Sequence, residues 1–83
     1  MRTIVHIFPT HSAAVGAFRE SNLLGLRRQF RLSIETETEL HLFTNQQSTE
    51  QLSGLRISEV RLHENCKLQS DQIARLNSLV REP

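Results

Sequence analysis

Leu52-Ser53-Gly54-Leu55-Arg56-Ile57-Ser58-Glu59-Val60-Arg61-Leu62-His63-Glu64 is the stretch on which the fold reading turns. Ser48-Thr49-Glu50-Gln51, just before it, matches a capping box: the Ser48 side chain bonds the third helical N–H and Gln51 reaches back. The helix so opened is about two turns long, because Gly54 accepts the left-handed backbone that closes a helix without steric cost. Ile57 to Leu62 then reads as a strand that stops at the His63-Glu64 pair.

Working outward, the first strand is Thr3-Ile4-Val5-His6-Ile7-Phe8. Its near-continuous apolar character predicts burial on both faces. Pro9 has no N–H to donate and ends it. Thr10 or Ser12 can cap a helix from Ala13 to about Leu24, with Ala14, Val15, Ala17 and Phe18 on its apolar stripe and Asn22 and Gly25 at its end. Phe30 to Thr44 alternates throughout. As one strand it would reach roughly 50 Å at ~3.3 Å per residue, about twice the width of so small a domain. A hairpin turning near Thr36–Thr38 is therefore expected, with Phe30–Glu35 as an antiparallel edge. After the Glu64–Lys67 loop, Ser70 caps a final helix, with Asp71 in its first turn, Arg81 near its end, and Ile73, Leu76, Leu79 and Val80 on one stripe.

The order is β-α-β-β-α-β-α. It predicts an α/β domain over residues 1–83, with a mixed, mostly parallel sheet of three or four strands and about three helices. At 83 residues such a chain buries only roughly 60% of its unfolded surface. Hydrophobic residues make up 37% and the four aromatics are all Phe. A core this lean is one that association with a partner would complete.

Ten basic and nine acidic side chains leave a formal charge of +1, which gives no overall pull toward DNA or a lipid surface. The single Cys66 fits a reducing cytoplasm. No apolar run approaches the ~20 residues that span a bilayer, and the N-terminus lacks the pattern of a signal peptide. A cytoplasmic protein with no membrane contact is expected.

Two segments carry a family resemblance. Ile4-Val5-His6-Ile7-Phe8-Pro9-Thr10-His11-Ser12-Ala13-Ala14 resembles the strand ending in Pro-Thr, followed by a helix, of the RecA-like P-loop ATPase core of helicases and phage DNA-packaging terminases. Ser48 to Glu64 resembles that family's helix, glycine and strand leading to the Asp-Glu pair of the Walker B motif. Together they span residues 4–64. The resemblance implies a RecA-like fold and makes a phage or mobile-element origin the matching expectation.

The family's chemistry is missing. Its Gly-x-x-x-x-Gly-Lys-Ser/Thr loop is absent: the glycines are Gly16, Gly25 and Gly54, and the one lysine is Lys67. Without that loop, phosphates have neither N–H groups nor a charge to meet them. His63 stands where the family places a Mg²⁺-binding carboxylate, and Mg²⁺ prefers oxygen. Glu64 matches the catalytic glutamate by position, yet has nothing to activate. The resemblance thus implies a cut-down, non-catalytic module.

Other constellations are thin. His63-x-x-Cys66 has a metal-ligand spacing, and His6 and His41 can approach on neighbouring strands, but structural zinc sites show two close pairs. No metal or cofactor is expected. Ser12, His11, Ser48 and Glu64 form no hydrolase signature, and no Gly-x-Ser-x-Gly elbow exists. Arg19, Arg27, Arg28 and Arg31 gather around the first helix and edge strand and could contact phosphates. Glu35, Glu37 and Glu39 follow directly, and no Tyr or Trp offers stacking on bases. The charge-alternating hairpin, with Arg31, Glu35, Glu37, Glu39 and His41, could pair its open edge with a second copy or a foreign protein. The leading expectation is a small non-enzymatic interaction protein that binds and modulates another protein; the alternative is a nucleic-acid-binding accessory protein using the arginines.

Overall fold

The computed structural model describes residues 1–52 and 54–80. Its elements run β1 (Arg2–Phe8), α1 (His11–Glu20), β2 (Leu26–Arg28), β3 (Ser33–Glu35), β4 (Glu39–Asn45), one 3-10 turn (Thr49–Leu52), β5 (Glu59–Leu62) and α2 (Ser70–Leu79). The strands form one sheet in the order β2-β3-β4-β1-β5. The fold is α/β with a mixed sheet, as expected, but the details differ. Among the described residues, five strands replace three or four, and two α-helices with one 3-10 turn replace three helices. Two of the four pairings are antiparallel, β2 with β3 and β3 with β4, so the sheet is not mostly parallel.

β1 is the centre. It pairs in parallel with β4 from Arg2↔Glu39 to Phe8↔Asn45, and with β5 from Ile4↔Glu59 to Ile7↔Leu62. Ile4, Val5 and Ile7 are wholly buried. The two faces carry separate cores. Val5, Ile7, Leu52, Ile57 and Leu76 pack on the side of α2. Phe8, Ala14, Phe18, Ile34 and Phe43 pack on the side of α1. Thr10 opens α1, its Oγ1 accepting from Ala13 N at 3.1 Å.

The hairpin turns where expected, without Gly, Asn or Asp. Thr36 Oγ1 accepts from Glu39 N at 3.0 Å and from Thr38 N at 3.4 Å. A hydroxyl thus supplies the turn that residue preference did not mark. The molecule measures 34 × 30 × 20 Å, too small for the single long strand.

Five expectations are corrected. Phe30–Glu35 is not the edge: β3 is interior, and the three-residue β2 lies outside it. α1 ends at Glu20 rather than near Leu24. The segment after Ser48 makes only one 3-10 turn, although Gly54 does take the left-handed backbone at φ 83°. β5 begins at Glu59, while Ile57 makes an isolated bridge to Val80. Ser70 is the first residue of α2 and not its cap. Gln69 precedes it, and the Gln72 side chain accepts from Gln69 N at 3.0 Å. Arg81, expected near the end of this helix, lies outside the described residues.

Gly25 sits where β2 begins, and a Cβ there would run into the carbonyl of Glu35. Gly16, within α1, has open space around it. Gly25→Ala should lower stability by about 1–3 kcal/mol through overpacking against backbone. Gly16→Ala should raise it by about 0.5–1 kcal/mol through helix propensity. Urea unfolding of the two variants checks the opposite signs.

Candidate functional site

Each helix covers part of one face. α1 lies over β4 and β1 on one side, and Leu76 of α2 packs on Val5, Ile7 and Ile57 on the other. Two areas of sheet are left without a helix. One is polar and the other apolar.

The polar area lies on the α1 face, where alternate residues of β1, β4 and β5 project together. The parallel register pairs Ile4 with His41, and His6 with Phe43 and Arg61. His41, His6 and His63 therefore form a diagonal across three strands. His6 Nε2 and His41 Nδ1 are 2.9 Å apart; His6 Nδ1 and His63 Nε2 are 3.1 Å apart. His41 Nε2 lies 3.0 Å from Glu39 Oε1. His6 and His41 are 7% and 3% exposed, whereas His63 is open to solvent. His6 also stacks on Phe43 at 4.8 Å between centroids, and His63 on Phe8 at 4.1 Å.

Glu39 sets the direction of this chain. An ionised carboxylate only accepts, so His41 must donate from Nε2. Neutral His41 then has only Nδ1 to accept with, so His6 donates from Nε2. His6 in turn accepts at Nδ1 from Nε2 of His63. With Glu39 ionised and His41 neutral, this order of donation requires the Nε2–H tautomer of all three rings. Around them, Arg2 bridges Glu39 at 3.7 Å and Glu59 at 3.3 Å, and Arg61 also pairs with Glu59. The hydrogen bond from Arg61, with the charges of Arg61 and Arg2, holds the Glu59 carboxyl below its usual range.

Burial pushes His6 down to about 4, reinforced by His41, His63 and Arg61 and opposed by Glu59. Burial and the charge of Arg61 also lower His63.

His63 and Cys66 point to different cores. Cys66 Sγ donates to Ile7 O at 3.0 Å and packs on the α2 side, while the His63 ring lies on Phe8 and His6. Among the described residues, no group of three or more His, Cys, Asp or Glu side chains is arranged to hold a metal ion.

The apolar area is a groove of about 640 Å³ along β4, between the β2–β3 turn and the 3-10 turn. Leu40, Leu42, Leu52 and Leu55 line it, with Phe30, Arg31 and His11 also in its wall. Phe30 is 98% exposed, and Leu24, just before β2, is 90% exposed. A second hollow, of about 400 Å³, is walled by polar side chains including Lys67, Asp71 and Arg75.

The arginines do not form one patch. Arg27 turns inward, donating to Phe18 O at 2.6 Å, Ser21 O at 2.5 Å and Leu23 O at 3.4 Å. It thereby occupies carbonyls that the end of α1 leaves open. Its guanidinium also lies over the Phe18 ring, 5.6 Å from the centroid. Arg28 and Arg31 share the exposed β2–β3 turn, where Arg31 N bonds Arg28 O at 3.3 Å, and Arg19 is in the last turn of α1.

The hairpin set is dispersed as well. Glu37 is exposed in the turn and Glu35 is half-buried, while Glu39 and His41 belong to the histidine row. The meeting of His6 and His41 was readable from strand adjacency. The inclusion of His63 was not, because it depends on the offset between β1 and β5.

Comparison with protein-family models, with curated proteins and with solved structures finds no match to this chain. What the fold itself defines is a small mixed α/β sheet domain with two unlike areas left open by its helices.

Two predictions follow from these contacts. The His6 value in the folded state lies below the ordinary 6.5, so the unfolded chain binds more protons between the two. Stability should be full above pH ~6.5 and fall as pH drops toward ~4, by on the order of 3 kcal/mol. Urea midpoints between pH 7.5 and 4.5 measure this, and His6→Phe should remove most of the slope; a flat profile would refute it. Arg27→Gln should cost about 1–3 kcal/mol, because its hydrogen bonds carry a charge. Arg28→Gln should stay within about 0.5 kcal/mol by the same assay.

Proposed function

We propose that this chain is a non-enzymatic interaction domain that binds and modulates another protein through the groove along β4. The exposure of Phe30 beside an apolar groove carries the reading. Burying one such ring is worth roughly 1.5–3 kcal/mol, and this one rests on nothing. A lone exposed apolar residue is ordinary, but Phe30 stands with Leu40, Leu42 and Leu55 around one hollow. Aromatic anchors that seat in apolar hollows are the usual centres of binding energy.

Charge selects the occupant. Arg31 and His11 stand in the groove wall and Arg28 on the adjoining turn, and no ion pair among the described residues engages either arginine. The segment that fits is an amphipathic one from another protein, apolar on one face and acidic at its margins. A second copy fits less well: two-fold pairing of β2 edges would set Leu26 against Arg28 and Arg27 against its twin. Nucleic acid is also less well served, since Arg27 is committed to α1.

A synthetic Leu/Glu amphipathic peptide is a suitable probe, with its Leu/Lys counterpart and a short DNA duplex as controls. NMR titration should show the Leu/Glu peptide moving the signals of Phe30, Leu42 and Leu55, and Phe30→Ala should weaken binding about tenfold. Equal response to the Leu/Lys peptide, tighter binding of the duplex, or a dimer by light scattering that buries Phe30 would each overturn the reading.

A further inference from the structure

The histidine row is not needed for binding in the groove, and it lies on the opposite face of β4. Three rings and one carboxylate form an unbroken line of hydrogen bonds of 2.9–3.1 Å. Its inner members are closed to water and its outer member is not. Among the described residues no buried side-chain nitrogen or oxygen lacks a hydrogen-bond partner. The line is therefore complete in one direction of donation, and a complete line can run in the other direction too.

We propose that Glu39, His41, His6 and His63 act as one proton-accepting site, entered at His63 and holding its charge at the His41–Glu39 end. The steps balance. An acid in solution, or an acidic group presented by a bound molecule, gives a proton to Nδ1 of His63. The proton on His63 Nε2 crosses 3.1 Å to Nδ1 of His6. The proton on His6 Nε2 crosses 2.9 Å to Nδ1 of His41. His41 now carries both protons and faces the Glu39 carboxylate at 3.0 Å. One proton has entered, and one positive charge has been set against one negative charge. His63 and His6 end neutral in the opposite tautomer, so Nδ1 of the exposed His63 changes from acceptor to donor.

The surroundings favour that final position. From β5, Arg61 opposes a charge held on His63 or His6, while Glu59 is already matched by Arg61 and by Arg2 of β1. From β4, Glu39 has among the described residues only the partly exposed, 3.7 Å contact with Arg2 besides His41. The α1 side of the row is filled by the Phe43 ring, on which His6 stacks, with Phe18 edge-on behind it. His11, Arg19 and Glu20 of α1 make no hydrogen bond or ion pair with the row among those described. A buried positive charge would be costly in the middle of the row and is offset at the end that faces a carboxylate.

Long-range ¹H–¹⁵N spectra of the imidazoles, recorded on the whole chain from pH 8 to 4.5, test the proposal. At pH 8 all three rings should be in the Nε2–H tautomer. On acidification they should change with one shared midpoint, His63 and His6 toward Nδ1–H and His41 toward the doubly protonated form. His11, outside the row, serves as the control ring. Glu39→Gln, at a partly exposed position, should mix the tautomers at pH 8 and move the shared midpoint down by about one pH unit. Mixed tautomers in the unaltered protein, separate midpoints for the three rings, or an unchanged midpoint in Glu39→Gln would each overturn it.

Discussion

The parallel pairing of β1 on both of its edges is the constraint from which the rest follows. A strand hydrogen-bonded on both sides and apolar on both faces must be covered above and below. Each parallel neighbour also requires a crossover long enough to return the chain to the same end of the sheet. The crossover to β4 contains α1 and the β2–β3 excursion; among the described residues the crossover to β5 contains one 3-10 turn and loop. That shortness is why α2, coming after β5, must supply the cover over Val5 and Ile7. Two ten-residue helices cannot shield both faces of five strands. The open areas are therefore a consequence of topology.

The two areas resolve exposure by opposite means. On the α1 face, His41, His6 and His63 replace a helix with their own hydrogen bonds, and Arg2, Glu39, Glu59 and Arg61 close the margin with ion pairs. Exposed ion pairs add little stability, roughly 0–1 kcal/mol each. Their effect here is to keep the polar side chains satisfied beside a buried strand. On the other face, Leu40 and Leu42 have no such recourse, because an apolar side chain can be satisfied only by contact. The two areas invite different readings for that reason.

Much of the scaffold was legible. Ile4, Val5 and Ile7 sit where continuous apolar character put them, and the hairpin turns at Thr36–Thr38 because alternation over Phe30–Thr44 exceeds what the domain can hold. β2 was not legible. Leu26-Arg27-Arg28 shows no alternation and is held by pairing with β3 and by the reach of Arg27 to the end of α1, contacts with neighbouring elements rather than a pattern within the segment. The 3-10 turn was overread because a capping-box pattern marks where a helix can start, not how far packing lets it run. In the candidate site, the approach of His6 and His41 followed from placing them on strands. His63 joined them because β5 is set in parallel at an offset no local pattern reveals. Cys66 stays close to His63 along the backbone, but its sulfur turns to Ile7 O on the α2 side while the His63 ring lies on Phe8.

β4 belongs to both open areas. Glu39 and His41 face the histidine row, while Leu40 and Leu42 face the groove, so successive residues of one strand serve opposite surfaces. Period-two alternation makes this unavoidable: any side-chain pair used on one face has its neighbours on the other. The groove needs β4 to stay flat against β3, and the row needs Glu39 and His41 to keep register with Ile4 and His6. Both requirements are met by the same two ladders, and Thr36 and Leu32 pin their ends by accepting hydrogen bonds from Glu39 N and Phe43 N. β4, the second strand of the charged hairpin, is thus the element that joins the two surfaces. The stretch ending at His63 and Glu64 contributes its last ring to one of them. That strand end carries a histidine whose hydrogen bond to His6 begins a row that runs back across the sheet to Glu39.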